Sequence, residues 1–111
     1  MDILFGTDKL CAEFNDSRRL VKRHGDTRAK VIRRRLDDLR AADILDDLRH
    51  APGRCHELKG DRDEQLSLDL DGPYRLVFEV AQNPVPRKPD GGLDWKSITT
   101  IRISEVTNTH E

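Results

Sequence analysis

The chain has 111 residues, of which 37% are charged, 35% are hydrophobic and only five are aromatic. That length is one ordinary domain spanning 1–111, with a thin core, because a domain of this size buries roughly two-thirds of the surface its unfolded chain exposes. Its longest apolar runs are two or three residues, as at Ile3-Leu4-Phe5, against the ~20 a membrane helix needs, and its start lacks the basic and apolar stretches of a secretory signal. The expectation is a soluble, cytoplasmic protein with no membrane partner. Two cysteines, Cys11 and Cys55, are too few for a disulfide scaffold and fit a reducing compartment.

The net charge of −1 hides a strong asymmetry. Residues 17–40 carry ten Lys or Arg against Asp26, Asp37 and Asp38, a balance of +7, and arginines outnumber lysines 14 to six. Such a block engages nucleic acid or an acidic partner segment, or else is a solvated helix surface balanced by nearby carboxylates. Charge alone leaves the alternatives open.

In chain order, Asp2 to Gly6 is a short apolar entry and a candidate edge strand. Thr7 or Asp8 caps a helix whose apolar face is Leu10, Phe14, Ser17 and Val21. His24-Gly25 closes it, glycine suiting the left-handed turn at a helix end. Asp26 or Thr27 caps a second helix, buried through Ala29, Ile32, Leu36 and Leu39, with Arg28, Lys30, Arg33, Arg34 and Arg40 on the other side. A short third helix at about 43–49 buries Ile44, Leu45 and Leu48 before Pro52-Gly53 ends it.

The period then changes to two. Leu66, Leu68 and Leu70 alternate with polar residues, Asp71-Gly72-Pro73 turns the chain, and Tyr74, Leu76, Phe78 and Val80 alternate again, which is a β-hairpin. Residues 81–96 hold three prolines and two glycines without periodicity, a length of loop that is usually functional or mobile. Ser97 to Val106 reads as the last strand. The class is α+β, with N-terminal helices packed on one face of a small twisted antiparallel sheet.

Several chemistries lack their motif. No spacing among Cys11, His50, Cys55 and His56 is that of a metal site, no phosphate loop joins a strand to a helix, and no serine sits in a nucleophile elbow. One constellation remains: His56, Lys59 and Arg62 precede the hairpin, Arg75 projects from it opposite Leu76 and Phe78, and the last strand runs out through Asn108 and His110. On one exposed sheet face these groups suit metal-free phosphodiester cleavage, the arginines stabilising phosphate oxygens while a base and an acid move the protons. The alternative is that Arg62 and Arg75 form surface ion pairs with Asp61, Asp63, Glu64 or Glu79, which contribute little.

The stretch His56-Glu57-Leu58-Lys59-Gly60-Asp61-Arg62, followed by Gly72-Pro73-Tyr74-Arg75-Leu76-Val77-Phe78, resembles the RelE/ParE superfamily of type II toxins. Within it the likeness is to the HigB-like, plasmid maintenance killer branch, with its L-x-G-x-R segment and G-x-[YW]-R-[LI]-x-F strand. The resemblance implies a RelE-like fold and a cytoplasmic, ribosome-dependent, metal-independent mRNA endonuclease that uses no cofactor. Its implied partners are the ribosome and mRNA, a HigA-type helix-turn-helix antitoxin, and promoter DNA only through that antitoxin. By motif position Arg62 and Arg75 are the phosphate and transition-state arginines, Lys59 and His56 further basic groups, and His110 the histidine of the family's terminal D-Y-H. Arg33, Arg34 and Asn108 join Lys59 as candidate RNA contacts. The chain departs from the family in reading Asn108-Thr109-His110 and in a pI near 6.4, where toxins of this group are strongly basic. Two other readings therefore stand beside the nuclease: a catalytically weakened module that binds antitoxin, and a ParE-like topoisomerase inhibitor.

Overall fold

A computed structural model describes residues 1–108. A five-stranded sheet carries helices on one face. The strands are β1 (Asp2–Phe5), β2 (His56–Glu57), β3 (Gln65–Asp69), β4 (Tyr74–Val80) and β5 (Thr100–Asn108), and the helices are α1 (Asp8–Phe14) and α2 (Ser17–Ala41). Strand order is β1-β5-β4-β3-β2, with β1 parallel to β5 and every other pair antiparallel.

Local chemistry explains the helix boundaries. The Thr7 hydroxyl accepts from the Leu10 N–H at 3.1 Å, starting α1. The expected single helix from residue 8 to 24 is divided, because the Asp16 side chain accepts from Arg18 and Arg19 N–H and caps a new start. Leu20, not Ser17 or Val21, is the residue that segment buries. Gly25 then interrupts α2 at φ 81 and ψ 166, a conformation that side-chain-bearing residues rarely adopt. The second arm of α2 buries Ala29, Ile32, Leu36 and Leu39, the face its spacing predicts. The short helix expected at 43–49 is a 3-10 helix over Leu45–His50.

These residues join Leu66, Leu68, Leu76, Phe78, Ile101 and Ile103 in one core between helices and sheet. Each large side chain so buried stabilises by about 1.5–3 kcal/mol relative to exposure. The segment 81–96, read as a functional or mobile loop, is tied down. Leu93 and Trp95 are buried, Arg49 stacks over the indole at 4.1 Å, and the indole N–H donates to Glu57 at 3.0 Å.

Between α1 and α2, Glu13 and His24 form a largely buried titrating pair, their side chains 11% and 10% exposed. Glu13 and His24 approach to 3.6 Å, and Arg23 reaches the same carboxylate at 3.4 Å. Burial lowers the His24 pKa below 6.5, with Arg23 and Arg28 acting in the same direction and Glu13 opposing. A histidine depressed on folding leaves the unfolded chain the better proton acceptor, so its contribution is complete above about pH 6.5 and is lost as pH falls. The melting temperature is therefore expected to drop between pH 7.5 and 5.5, and less steeply for His24→Gln; equal slopes in thermal melts would refute the assignment.

Candidate functional site

The sheet face turned away from the helices is built by cross-strand register. Rows run across it as His56–Ser67–Val77–Glu105, as Asp69–Arg75–Thr107, and as Gln65–Glu79–Arg102. One irregularity sets this pattern. Phe78 pairs with Ile103 and Val77 with Glu105, so Ser104 is an extra residue and β5 bulges between Val77 and Phe78. Strands alternate sides with period two, so the inserted residue reverses which side chains of β5 face which way. Arg102 faces the site before the bulge, Glu105 and Thr107 after it. Bulges re-aim side chains in this manner beside active sites.

The structure brings His56, Arg62 and Arg75 together on this face. The His56 Nδ1 lies 2.9 Å from the Arg54 carbonyl oxygen, which only accepts, so Nδ1 carries the hydrogen and donates. In the neutral ring Nε2 then bears the lone pair, and the Arg75 Nη1 approaches it at 3.5 Å. Arg75 is itself steadied by Asp69 at 3.3 Å, and its side chain is only 14% exposed. Asp69 also accepts from Arg54 at 3.0 Å, and its backbone oxygen accepts from the Arg35 Nε at 2.8 Å, which ties this part of the site to α2.

Arg62 starts from a 3-10 turn, Gly60–Arg62, beside β3. Its guanidinium donates to Gln65 at 3.2 Å and to Glu105 at 3.2 Å. Gln65 is on β3 and Glu105 on β5, so the side chain arches over β4 beside Val77. Ser67 and Val77, adjacent in the row beneath, are both 0% exposed. The Ser67 hydroxyl has no hydrogen-bond partner among the described residues, an arrangement that costs about 1–3 kcal/mol.

The remaining predicted residues stand elsewhere. Lys59 is exposed at the start of the Arg62 turn. Arg33 and Arg34 are on α2, on the helix side of the sheet, and are not joined to the His56 and Arg75 cluster; Arg34 is exposed and Arg33 half-buried. Asn108 pairs with Tyr74, which lies on the helix side under Arg28 at 3.5 Å, so the pleat does not turn it toward Arg75. His110 lies outside the described residues. Part of the +7 block is structural: Arg28 pairs with Asp71 at 2.9 Å and Arg23 with Glu13. Asp69, Glu105 and Ser67 also stand here, placed by cross-strand register and the bulge rather than by any local sequence signal. Among the described residues no group of three or more His, Cys, Asp and Glu is placed to hold a metal. Burial pushes the Cys55 thiol up to about 12, which keeps it protonated and unreactive at neutral pH.

Comparison with known proteins identifies the lineage of this face. Residues 5–87 match the family described as the HigB-like toxin, a RelE-like toxin of the type II toxin–antitoxin system HigB. The chain belongs to the HigB-like toxin family. The matched span takes in His56, Lys59, Arg62 and Arg75 and stops before β5. Among solved structures, a YoeB/ParE toxin from Agrobacterium tumefaciens superposes with a TM-score of 0.59 at 13% identity, over 99% of this chain and 100% of that one. A YoeB–YefM complex from Staphylococcus aureus gives 0.56 at 15% identity, over 100% of this chain and 98% of that one. Both show a shared fold. No curated protein matches in sequence. Among the described residues of this HigB-like toxin, no helix is long and apolar enough to cross a membrane.

Proposed function

We propose that this HigB-like toxin is a cytoplasmic endoribonuclease that cleaves mRNA on the ribosome, without a metal or cofactor, and is neutralised by a HigA-type antitoxin. The observation that carries the reading is a histidine with one tautomer fixed, its Nε2 lone pair beside a guanidinium. Arg75 and Arg62 hold the scissile phosphate and offset the charge that grows on its equatorial oxygens. His56 Nε2 takes the proton of the adjacent ribose 2′-hydroxyl, and the 2′-oxygen attacks phosphorus. The bond to the 5′-oxygen breaks, that oxygen receives a proton from His110, and a 2′,3′-cyclic phosphate remains. Lys59, the α2 cations Arg33 and Arg34, and Asn108 at the end of β5 contact RNA outside the reacting centre. The antitoxin partner follows from family membership and from the neighbour solved as a YoeB–YefM complex; promoter DNA is reached through the antitoxin.

The test is inducible expression of the free protein, with mapping of mRNA 5′ ends. Growth arrest with new ends inside translated codons is the expected result. Arrest with intact mRNA and damaged DNA would favour topoisomerase inhibition. Absence of arrest with folded protein would favour a weakened binding module, a reading to which the carboxylate partners of Arg62 and Arg75 lend weight.

A further inference from the structure

The geometry points to a latched phosphodiester subsite in which Glu105 occupies, in the free protein, the place of an RNA phosphate on Arg62, and Ser67 is that phosphate's second ligand. This deepens the endonuclease reading and rests on it. Three observations converge. Arg62 crosses β4 to reach Glu105 at 3.2 Å, and that carboxylate is 46% exposed on its side chain, so an incoming anion reaches the pair from solvent. Ser67, in the same row as Glu105, is fully buried with its hydroxyl unpartnered. A buried hydroxyl without a partner is the exception in native structures and asks for one.

The chemistry of exchange is simple. A carboxylate and a phosphodiester each present two oxygens to the fork of a guanidinium. When phosphate takes Arg62, the side chain leaves Glu105 and its arch over β4 opens. As that arch opens, the hydroxyl of Ser67, in the row that ends on Glu105, donates to a phosphate oxygen. Glu105 returns to solvent as a free carboxylate. The latch also accounts for a nuclease face with carboxylates at two of its arginines: the free toxin holds few unneutralised cations there, and substrate has to compete for them.

Binding of a fluorescein-labelled single-stranded oligoribonucleotide with 2′-O-methyl riboses, which cannot be cleaved through the 2′-oxygen, separates the possibilities. Glu105→Gln is expected to tighten binding about fivefold, the scale of a partly exposed ion pair no longer in competition. Glu79→Gln makes the same charge change on the same face, but its carboxylate pairs with Arg102 at 3.2 Å and not with Arg62; it is expected to change binding less than about twofold. Ser67→Ala is expected to weaken binding about fivefold, one hydrogen bond's worth, while melting at or above the wild-type temperature. A merely structural serine would not part affinity from stability in this way. Equal tightening by Glu79→Gln and Glu105→Gln, or wild-type affinity in Ser67→Ala, overturns the latch and leaves the endonuclease reading standing. Failure of both wild type and Glu105→Gln to bind overturns the two together.

Discussion

Replacing Arg75 with alanine is expected to lower mRNA cleavage by roughly 10²–10³-fold, the usual consequence of removing one group that meets transition-state charge, while the fold survives. Arg75 is placed for this by two contacts, Asp69 on one side and the His56 lone pair on the other, and by a side chain only 14% exposed. Its loss removes the phosphate clamp and the neighbour that helps orient the imidazole. It does not strand Asp69, which keeps Arg54 at 3.0 Å, so the penalty of an unpaired carboxylate is avoided. Arg75→Lys keeps the charge but not the planar fork, and is expected to recover only part of the rate. Cleavage of a defined mRNA in a reconstituted translation system, with a thermal melt of each variant, checks both halves. Full activity in Arg75→Ala would remove this arginine from the mechanism.

The parts of the fold written in short-range pattern were legible in the sequence. Ala29, Ile32, Leu36 and Leu39 are buried at the predicted helical spacing, and Leu66, Leu68, Leu76 and Phe78 at the predicted strand spacing. The division between α1 and α2 is masked in the sequence because Leu10, Phe14, Ser17 and Val21 continue the helical period across it, while Asp16 supplies the N-cap that wins. β2 has two residues and therefore no period, and the parallel pairing of β1 with β5 joins chain segments about a hundred residues apart. Neither leaves a local trace. The site divides in the same way. His56, Arg62 and Arg75 stand out by residue type, and the structure does place them on one face. Their partners do not: the expected ion pairs were with Asp61, Asp63, Glu64 or Glu79, near in sequence, whereas the observed ones are with Asp69 and Glu105 across strands. Asp69 follows from hairpin register, but Glu105 faces Arg62 only because Ser104 is inserted. Ser67 reads as a solvent-side residue between Leu66 and Leu68, and is instead fully buried.

Truncating Phe78 tests how far that site depends on the core beneath it. Phe78 is fully buried in central strand β4, flanked by Leu66 on β3 and Ile103 on β5, themselves 0% exposed. Phe78→Ala is expected to cost about 3–5 kcal/mol, transfer and cavity terms together. Against a total stability of roughly 5–15 kcal/mol that is a large share, and the melting temperature is expected to fall by on the order of 15–30 °C. Phe78 is also the core-side residue at the bulge, the one held opposite Ile103 while Val77 stands opposite Glu105. Loosening that anchor lets β5 slide toward unbulged register, in which Ser104 replaces Glu105 opposite Val77 and the partner of Arg62 turns away. A buried residue that touches no substrate is then expected to alter RNA binding at temperatures where the variant is still folded. Calorimetric melts beside oligoribonucleotide binding at 10 °C separate the two effects. A large loss of stability with unchanged affinity would show that the bulge is held by the strand backbones and not by Phe78.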